Sequence, residues 1–340
     1  MFRTIDTLLI RQLIKYSRLC NWDIRRTASE TITDRRICVE LKGICPIIAT
    51  PFTASGEVDY ESLEREVSCM ADNGCHGVTL FGIAGEYYKL SDAEAERMVR
   101  VVVDTCRKKG IPSIISVTQH STELAVKRAK YYQDQGADSL MLLPPYFLKP
   151  GAGAIYEHMK SVCNAVDIPV VVQYAPEQTG VAIAPEVLAN LRNDCDTELY
   201  YKIECKPAGG YISNLLKLTD NGVRVFIGNA GYQFIECFDR GAIGAMPGGS
   251  MFDLYLQIYD KYLSGERGEA MKLHGSVLLP FLNHIRQNVE MIIAYEKRIM
   301  MRRGMIETDY CRKPTFAADP VFDSLFDEFY ELTLPYLKKF

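Results

Sequence analysis

No apolar run in this chain reaches the roughly 18–20 residues that a bilayer span needs, so a membrane partner is not expected. No Lys/Arg cluster interleaved with aromatics appears, and the formal net charge is only -4. Nucleic acid is therefore not an expected partner either. The 11 cysteines contain no Cys-x-x-Cys pair and no metal-ligand rhythm, and nothing resembles a secretory signal. Reduced thiols in a cytoplasmic protein follow as the expectation. No His-x-His or carboxylate–histidine cluster falls at a predicted strand end, which argues against a metal centre. What is present is 340 residues, 48% hydrophobic and 24% charged, enough for a large core.

Residues 1–38 differ from the rest. They carry Arg3, Arg11, Arg18, Arg25, Arg26, Arg35 and Arg36 with no strand-turn-helix rhythm. An organelle transit peptide would be Arg-rich and amphipathic, but Asp6, Asp23, Glu30 and Asp34 argue against it. The stretch reads as an N-terminal extension.

From Gly43 a strict alternation begins. Short apolar, β-branched runs at Gly43–Phe52, Gly77–Gly82, Pro112–Thr118, Ser139–Pro145, Pro169–Pro176, Leu199–Glu204, Val223–Asn229 and Gly244–Ser250 each precede a stretch with helical spacing. The runs are apolar throughout, as strands buried on both faces are. Ser91-Asp92-Ala93-Glu94 and Ser121-Thr122-Glu123 read as helix caps. Eight such units predict a (β/α)8 TIM barrel over residues 39–264. An open doubly wound sheet would instead favour a glycine-rich turn after the first strand, where Ala49-Thr50-Pro51-Phe52 stands. Residues 265–340 read as long amphipathic helices (Glu266–His284, Gln287–Met301 and Val321–Lys339), a C-terminal helical appendage against the barrel.

In such a barrel the chemistry lies at the C-terminal ends of the strands. Period-two alternation puts Tyr200, Lys202 and Glu204 on one strand face and Tyr201 and Ile203 on the other. An ammonium inside an apolar strand is costly, and the neutral amine is the form that attacks carbonyls. Lys202 is thus a candidate imine-forming nucleophile. The alternative is a buried Lys202–Glu204 pair that only fills the barrel. Lys206, before Pro207, is a rival in the loop. Gly82-Ile83-Ala84-Gly85-Glu86 offers consecutive amides for a carboxylate, or is simply a tight turn. Gln173 and Tyr174 point to opposite faces, so only one enters the barrel. His120, Tyr146 and Asn229 follow other strands as possible substrate contacts. His284, in the tail, reads as a surface or interface histidine.

In combination these motifs resemble the family of dihydrodipicolinate synthase and N-acetylneuraminate lyase, from Gly43 to the tail helices. The Gly-x-x-Gly-Glu motif matches Gly82 to Glu86, Pro-x-x-Thr-Gly matches Pro176 to Gly180, and the strand-six lysine falls on Lys202. The resemblance implies a Schiff base on Lys202, a 2-keto acid substrate, no metal or organic cofactor, and a homotetramer or homodimer of barrels.

The departures narrow the activity. The synthases have two threonines where Ile83 and Ala84 stand, tyrosines at Phe147 and Gln173, and a carboxylate-binding arginine at Gln178. A phenylalanine cannot pass a proton, and a glutamine is no general acid. A synthase-type condensation of pyruvate with an aldehyde is therefore disfavoured, as is sialic acid cleavage. Gln173, Lys202-Ile203-Glu204 and Asn283-His284-Ile285-Arg286-Gln287 resemble instead the branch of 2-keto-3-deoxy-pentonate (L-arabonate) dehydratases, although Tyr174 stands where that branch has an acidic residue. This reading expects Lys202 as nucleophile, Glu204 as proton-transfer group, Gln173 on hydroxyls or a water, and the Ile83 and Ala84 amides on the carboxylate. Retro-aldol cleavage uses the same iminium, and the alternative role for Glu204 is only to orient Lys202. A non-catalytic binding or scaffold barrel is the alternative outside enzymology.

Overall fold

A computed structural model describes residues 40–340; the reading of residues 1–38 lies outside the described residues. Eight parallel strands form one sheet: β1 (Gly43–Ile44), β2 (Val78–Leu80), β3 (Ser113–Val117), β4 (Ser139–Leu142), β5 (Val170–Tyr174), β6 (Leu199–Ile203), β7 (Arg224–Ile227) and β8 (Gly244–Ala245). Apart from Arg224, every residue in them is buried. That is the burial a sheet covered on both faces imposes, and it is why the sequence shows apolar runs rather than alternation. Each aliphatic side chain so removed from water contributes about 1.5–3 kcal/mol.

Neighbouring strands pair in sequence from β2 to β8, and β8 pairs with β1. The sheet closes through Ile47, which bridges Thr79 on one side and Gly248 on the other. Ile48 N donates to Thr79 O at 2.8 Å, and Thr79 N to Pro46 O at 2.8 Å. This closed (β/α)8 barrel excludes the open sheet. The first strand was expected to run to Phe52, but its regular ladder ends at Ile44. Pro46 has no N–H to give, and the chain there splits its bonds between two neighbours. The last strand likewise stops ahead of Pro247.

The helices between strands are α1 (Tyr60–Asp72), α2 (Asp92–Lys109), α3 (Thr122–Asp134), α4 (Ala152–Cys163), α5 (Pro185–Asp194), α6 (Ala208–Leu218), α7 (Phe234–Asp239) and α8 (Phe252–Leu263). Ser91 and Glu94 form a reciprocal capping box at the start of α2, and the Ser121 hydroxyl accepts from Leu124 N at the start of α3. Each such cap satisfies amides that the first turn leaves unpaired, contributing about 1 kcal/mol. Inside the barrel, Cys45, Ile47, Ile114, Met141, Val171, Tyr200, Phe226 and Met246 belong to one apolar cluster. It forms the floor beneath the strand ends. No described helix is long and apolar enough to cross a membrane.

The tail comprises α9 (Arg267–Leu273), a π turn (His274–Leu278), α10 (Leu279–Ile285), α11 (Val289–Arg303) and α12 (Pro320–Thr333). Tail and barrel form one compact unit, Val39–Phe340. Buried charge ties α11 down. Lys297 pairs with Glu86 and donates to Tyr310 O at 3.0 Å. Glu296 accepts from Ser250 N at 3.0 Å, and Arg303 binds Asp253 and Ser250 O. His284 is buried rather than on a surface, because α12 covers it and Phe322 O lies 3.1 Å from its Nε2.

Beneath α11, Glu66 of α1 is fully buried. Its Oε1 accepts from Ala49 N at 2.9 Å, and Oε2 has no partner among the described residues. Burial pushes its pKa up from 4.5 to about 8, against the Ala49 amide and the Lys297 charge. The folded state therefore keeps a proton that the unfolded chain has lost above about 4.5. Stability falls as pH rises through that window and levels off above about 8. Glu66→Gln preserves an acceptor for Ala49 and removes this slope. Relative to wild type, it is expected to gain about 2–4 kcal/mol between pH ~5 and pH ~8 in urea unfolding. Parallel pH dependences of the two proteins would refute this.

Candidate active site

Strand β6 carries Lys202 to the C-terminal end of the barrel, two residues beyond Tyr200 of the floor. Its Nζ lies 2.9 Å from Glu204 Oε1, and both side chains are buried. The same-face spacing of Lys202 and Glu204 in the sequence thus becomes a direct contact between the two side chains. Glu204 is held from two further directions. Gln173 Nε2, from β5, donates to its Oε2 at 3.0 Å, and Asn229 N donates to its Oε1 at 3.2 Å. Burial works to raise the Glu204 pKa, but the Lys202 charge and hydrogen bond, with those from Gln173 and Asn229, together hold it below its ordinary value of 4.5. The group is a carboxylate at neutral pH.

The turn after β7 makes this possible. Asn229 and Ala230 sit in the left-handed region at φ 49° and 51°, which aims the Asn229 amide at Glu204. Gly228 packs directly against the same carboxylate; a Cβ there would overlap its side chain.

These groups line a cavity with about 50 Å³ of room for the centres of water molecules. Ile83 and Ala84 line it too, opening the helical turn Ile83–Gly85. Amides at the start of such a turn have no partner within it, and they are suited to an anion. The glycines on either side serve close packing. A Cβ on Gly82 would come 2.6 Å from Ile47 Cγ2, and one on Gly85 2.9 Å from Ile48 O. They allow the turn to pack on the chain after β1. Glu86 faces away from the cavity, paired with Lys297 and, at 2.9 Å, with Lys89.

Three other expected contacts do not reach the cavity. Tyr174 is on the outward face of β5 and stacks on Tyr211 of α6, ring centroids 4.7 Å apart; Gln173 is the residue that enters. His120 and Tyr146 pack edge to face at 4.8 Å, and Tyr146 meets the Tyr87 hydroxyl at 3.1 Å; neither lines the cavity. Phe147 is 77% exposed. The rival Lys206 is exposed and paired with Glu177.

Other lining residues carry no site role in the sequence reading, although Gln178 stands there as a departure from the family's arginine. Ile47, Met246, Pro247 and Gly248 form the wall beside β1 and β8, and Ala230 follows Asn229. Gln178 comes from the helical turn Pro176–Thr179. Arg286, Val289 and Ile292 come from the tail, around the start of α11. The only sequence signal for Arg286 was its place in the Asn283–Gln287 motif. No periodicity shows that a helix beyond the barrel folds back over the barrel mouth.

Gly228→Ala tests the cradle. The variant is expected to displace Glu204, whose side chain a Cβ there would overlap. A displacement near 1 Å costs about 100-fold in rate. Unchanged turnover would mean that Glu204 has no need of this position.

Comparison with known proteins agrees with the geometry. Residues 40–321 match the dihydrodipicolinate synthetase family. An L-2-keto-3-deoxyarabonate dehydratase from Azospirillum brasilense is 28% identical over 278 residues, 80% of this chain and 88% of that protein. A 4-hydroxy-tetrahydrodipicolinate synthase from Methanothrix thermoacetophila is 32% identical over 181 residues, 52% of this chain and 59% of that one. The crystal structure of dihydrodipicolinate synthase from Rhodopseudomonas palustris superposes with a TM-score of 0.80 at 26% identity, covering 86% of this chain and 97% of that one. The chain therefore belongs to the dihydrodipicolinate synthetase family, and it is a lyase that works through a lysine imine.

Proposed function

We propose that this protein dehydrates a 2-keto-3-deoxy sugar acid through an imine on Lys202. The observation that carries this reading is the 2.9 Å contact between Lys202 Nζ and Glu204 Oε1 in a cavity that no tyrosine among the described residues lines. With no phenol at hand, proton transfer falls to the carboxylate. The relative from Azospirillum brasilense, a dehydratase of this substrate type by name, supports the same choice.

The steps follow from the geometry. The substrate carboxylate rests on the Ile83 and Ala84 amides, with its C2 ketone toward Lys202. Lys202 passes a proton to Glu204 and attacks C2. The carbinolamine takes that proton and loses water, leaving an iminium and the Glu204 carboxylate. The iminium withdraws electrons from C3, and Glu204 removes a C3 proton to give an enamine. The enamine expels the C4 hydroxyl, which takes the proton from Glu204 and departs as water. Hydrolysis of the unsaturated iminium regenerates the amine and releases the unsaturated keto acid. Its terminal carbinol tautomerises to an aldehyde. Gln173 orients Glu204 and faces the substrate hydroxyls, and Asn229 holds Glu204 through its amide. The iminium is itself the electron sink, so the route uses no cofactor.

A homodimer or homotetramer in the cytoplasm completes the proposal. Exposed Phe147, Leu148 and Tyr88 support an assembly, and the free cysteines support a reducing compartment.

Borohydride with pyruvate is expected to trap an adduct on Lys202 in wild type and none in Lys202→Ala, read by peptide mass. Absence of the wild-type adduct would overturn the imine on this residue. Glu204→Gln is expected to lose about 10²–10⁴-fold in turnover. Because the Glu204 pKa is lowered, its carboxylate is lost only below about pH 4.5, and the free-enzyme acid limit assigned to it should lie there. With a 2-keto-3-deoxy pentonate, the expected product is a semialdehyde without pyruvate; released pyruvate would make the enzyme an aldolase.

A further inference from the structure

The cavity contains polar atoms that the mechanism does not use. Lys202, Glu204 and Gln173 satisfy one another. Gln178 Oε1 and Arg286 Nε are also buried, yet neither has a partner among the described residues. A buried donor on a cation and a buried acceptor left unpaired each carry a desolvation cost. Both line the same cavity as Lys202, so a bound molecule can relieve both at once.

The elements that carry them are firmly placed. In the turn Pro176–Thr179, Gln178 N donates to Ala175 O at 3.2 Å and Thr179 Oγ1 to Ala175 O at 2.8 Å. Arg286 N closes α10 by donating to Leu282 O at 3.1 Å. Apolar Met246, Val289 and Ile292 line the same space, and a dry surround strengthens any hydrogen bond made there.

We propose that Arg286 and Gln178 form a subsite for a hydroxyl on the substrate chain beyond C3, and that this pair restricts the enzyme to hydroxylated monocarboxylic 2-keto acids. This rests on the imine chemistry proposed for Lys202. The chemical argument is one of complementarity. A hydroxyl accepts from the guanidinium and donates to the amide oxygen, satisfying both. A carboxylate accepts from Arg286 but sets its lone pairs against those of Gln178. A methyl group satisfies neither.

Charge leads to the same class. The Lys202 ammonium and the Glu204 carboxylate cancel, and no carboxylate among the described residues pairs with Arg286. The cavity is left with one uncompensated positive charge. A single substrate carboxylate balances it, and replacing the ammonium by an iminium does not alter the count. A second carboxylate would leave a buried negative charge, which is costly to hold.

The test uses the full chain, with Arg286→Ala, Arg286→Lys and Gln178→Leu beside wild type. Two readouts are compared: kcat/KM on a 2-keto-3-deoxy pentonate and the rate of pyruvate trapping by borohydride. Pyruvate has no carbon beyond C3, so it cannot engage the subsite. Selectivity, the first rate over the second, is expected to fall about 10–100-fold in Arg286→Ala and about 10-fold in Gln178→Leu, with partial recovery in Arg286→Lys. Wild type is also expected to prefer the hydroxylated acid to its deoxygenated analogue and to a dicarboxylic counterpart. Unchanged selectivity in both Arg286→Ala and Gln178→Leu would overturn the subsite, as would equal loss of both rates in every variant. A wild-type preference for the dicarboxylate would do the same. Failure of wild type to trap pyruvate would instead overturn the imine reading.

Discussion

A charge pair buried at the end of a barrel strand sets the conditions that the surrounding residues meet. Taking Lys202 and Glu204 out of water carries a desolvation cost of several kcal/mol per ion, and their attraction offsets it only if the remaining hydrogen-bonding positions are filled. The structure fills them from neighbouring strands. Gln173 on β5 and the Asn229 amide after β7 both reach Glu204, which is why β5, β6 and β7 must stand in their observed register. Gly228 belongs to the same requirement, because only a residue without a Cβ lets the carboxylate lie against the backbone. The left-handed turn at Asn229 and Ala230 then becomes part of the site rather than a loop detail.

The same economy of buried charge governs the tail. Glu86 ends the turn whose amides face the cavity, and it is pinned from behind by Lys297 of α11. Glu296, one residue earlier, holds Ser250 N. The helix that roofs the cavity and the turn whose amides line it thus share one network. Turn and roof cannot shift independently without leaving a charge unpaired in the interior. Val289, Ile292 and Arg286 face the cavity because that network sets the position of α11 over the barrel mouth.

Legibility in the sequence followed the range of the interactions. The barrel was readable because strands buried on both faces leave continuous apolar runs, and because eight of them recur between helical stretches. Lys202 and Glu204 were readable as neighbours because strand period two is a local property. Gln173 and Tyr174 could be assigned to opposite faces for the same reason, but which face was inner was not local; the structure puts Tyr174 against Tyr211 and Gln173 against Glu204. Strand ends were over-extended at Phe52 and Ser250, where prolines interrupt ladders. His120 and Tyr146 do not line the cavity, since a position after a strand does not say where the loop carries a side chain.

By itself, the sequence determined the barrel architecture, the strand that carries the amine, and the replacement of the family's tyrosines and arginine by Phe147, Gln173 and Gln178. Those are properties of composition and short spacing, and they survive without coordinates. Only the tertiary structure decided that Glu204 is ionised and paired, that Gly82 and Gly85 serve packing, that Glu86 belongs to the support, and that the tail supplies Arg286 to the cavity. Each depends on groups far apart in the chain meeting in a low-dielectric interior, where an unpaired charge or donor is costly enough to dictate what must lie beside it.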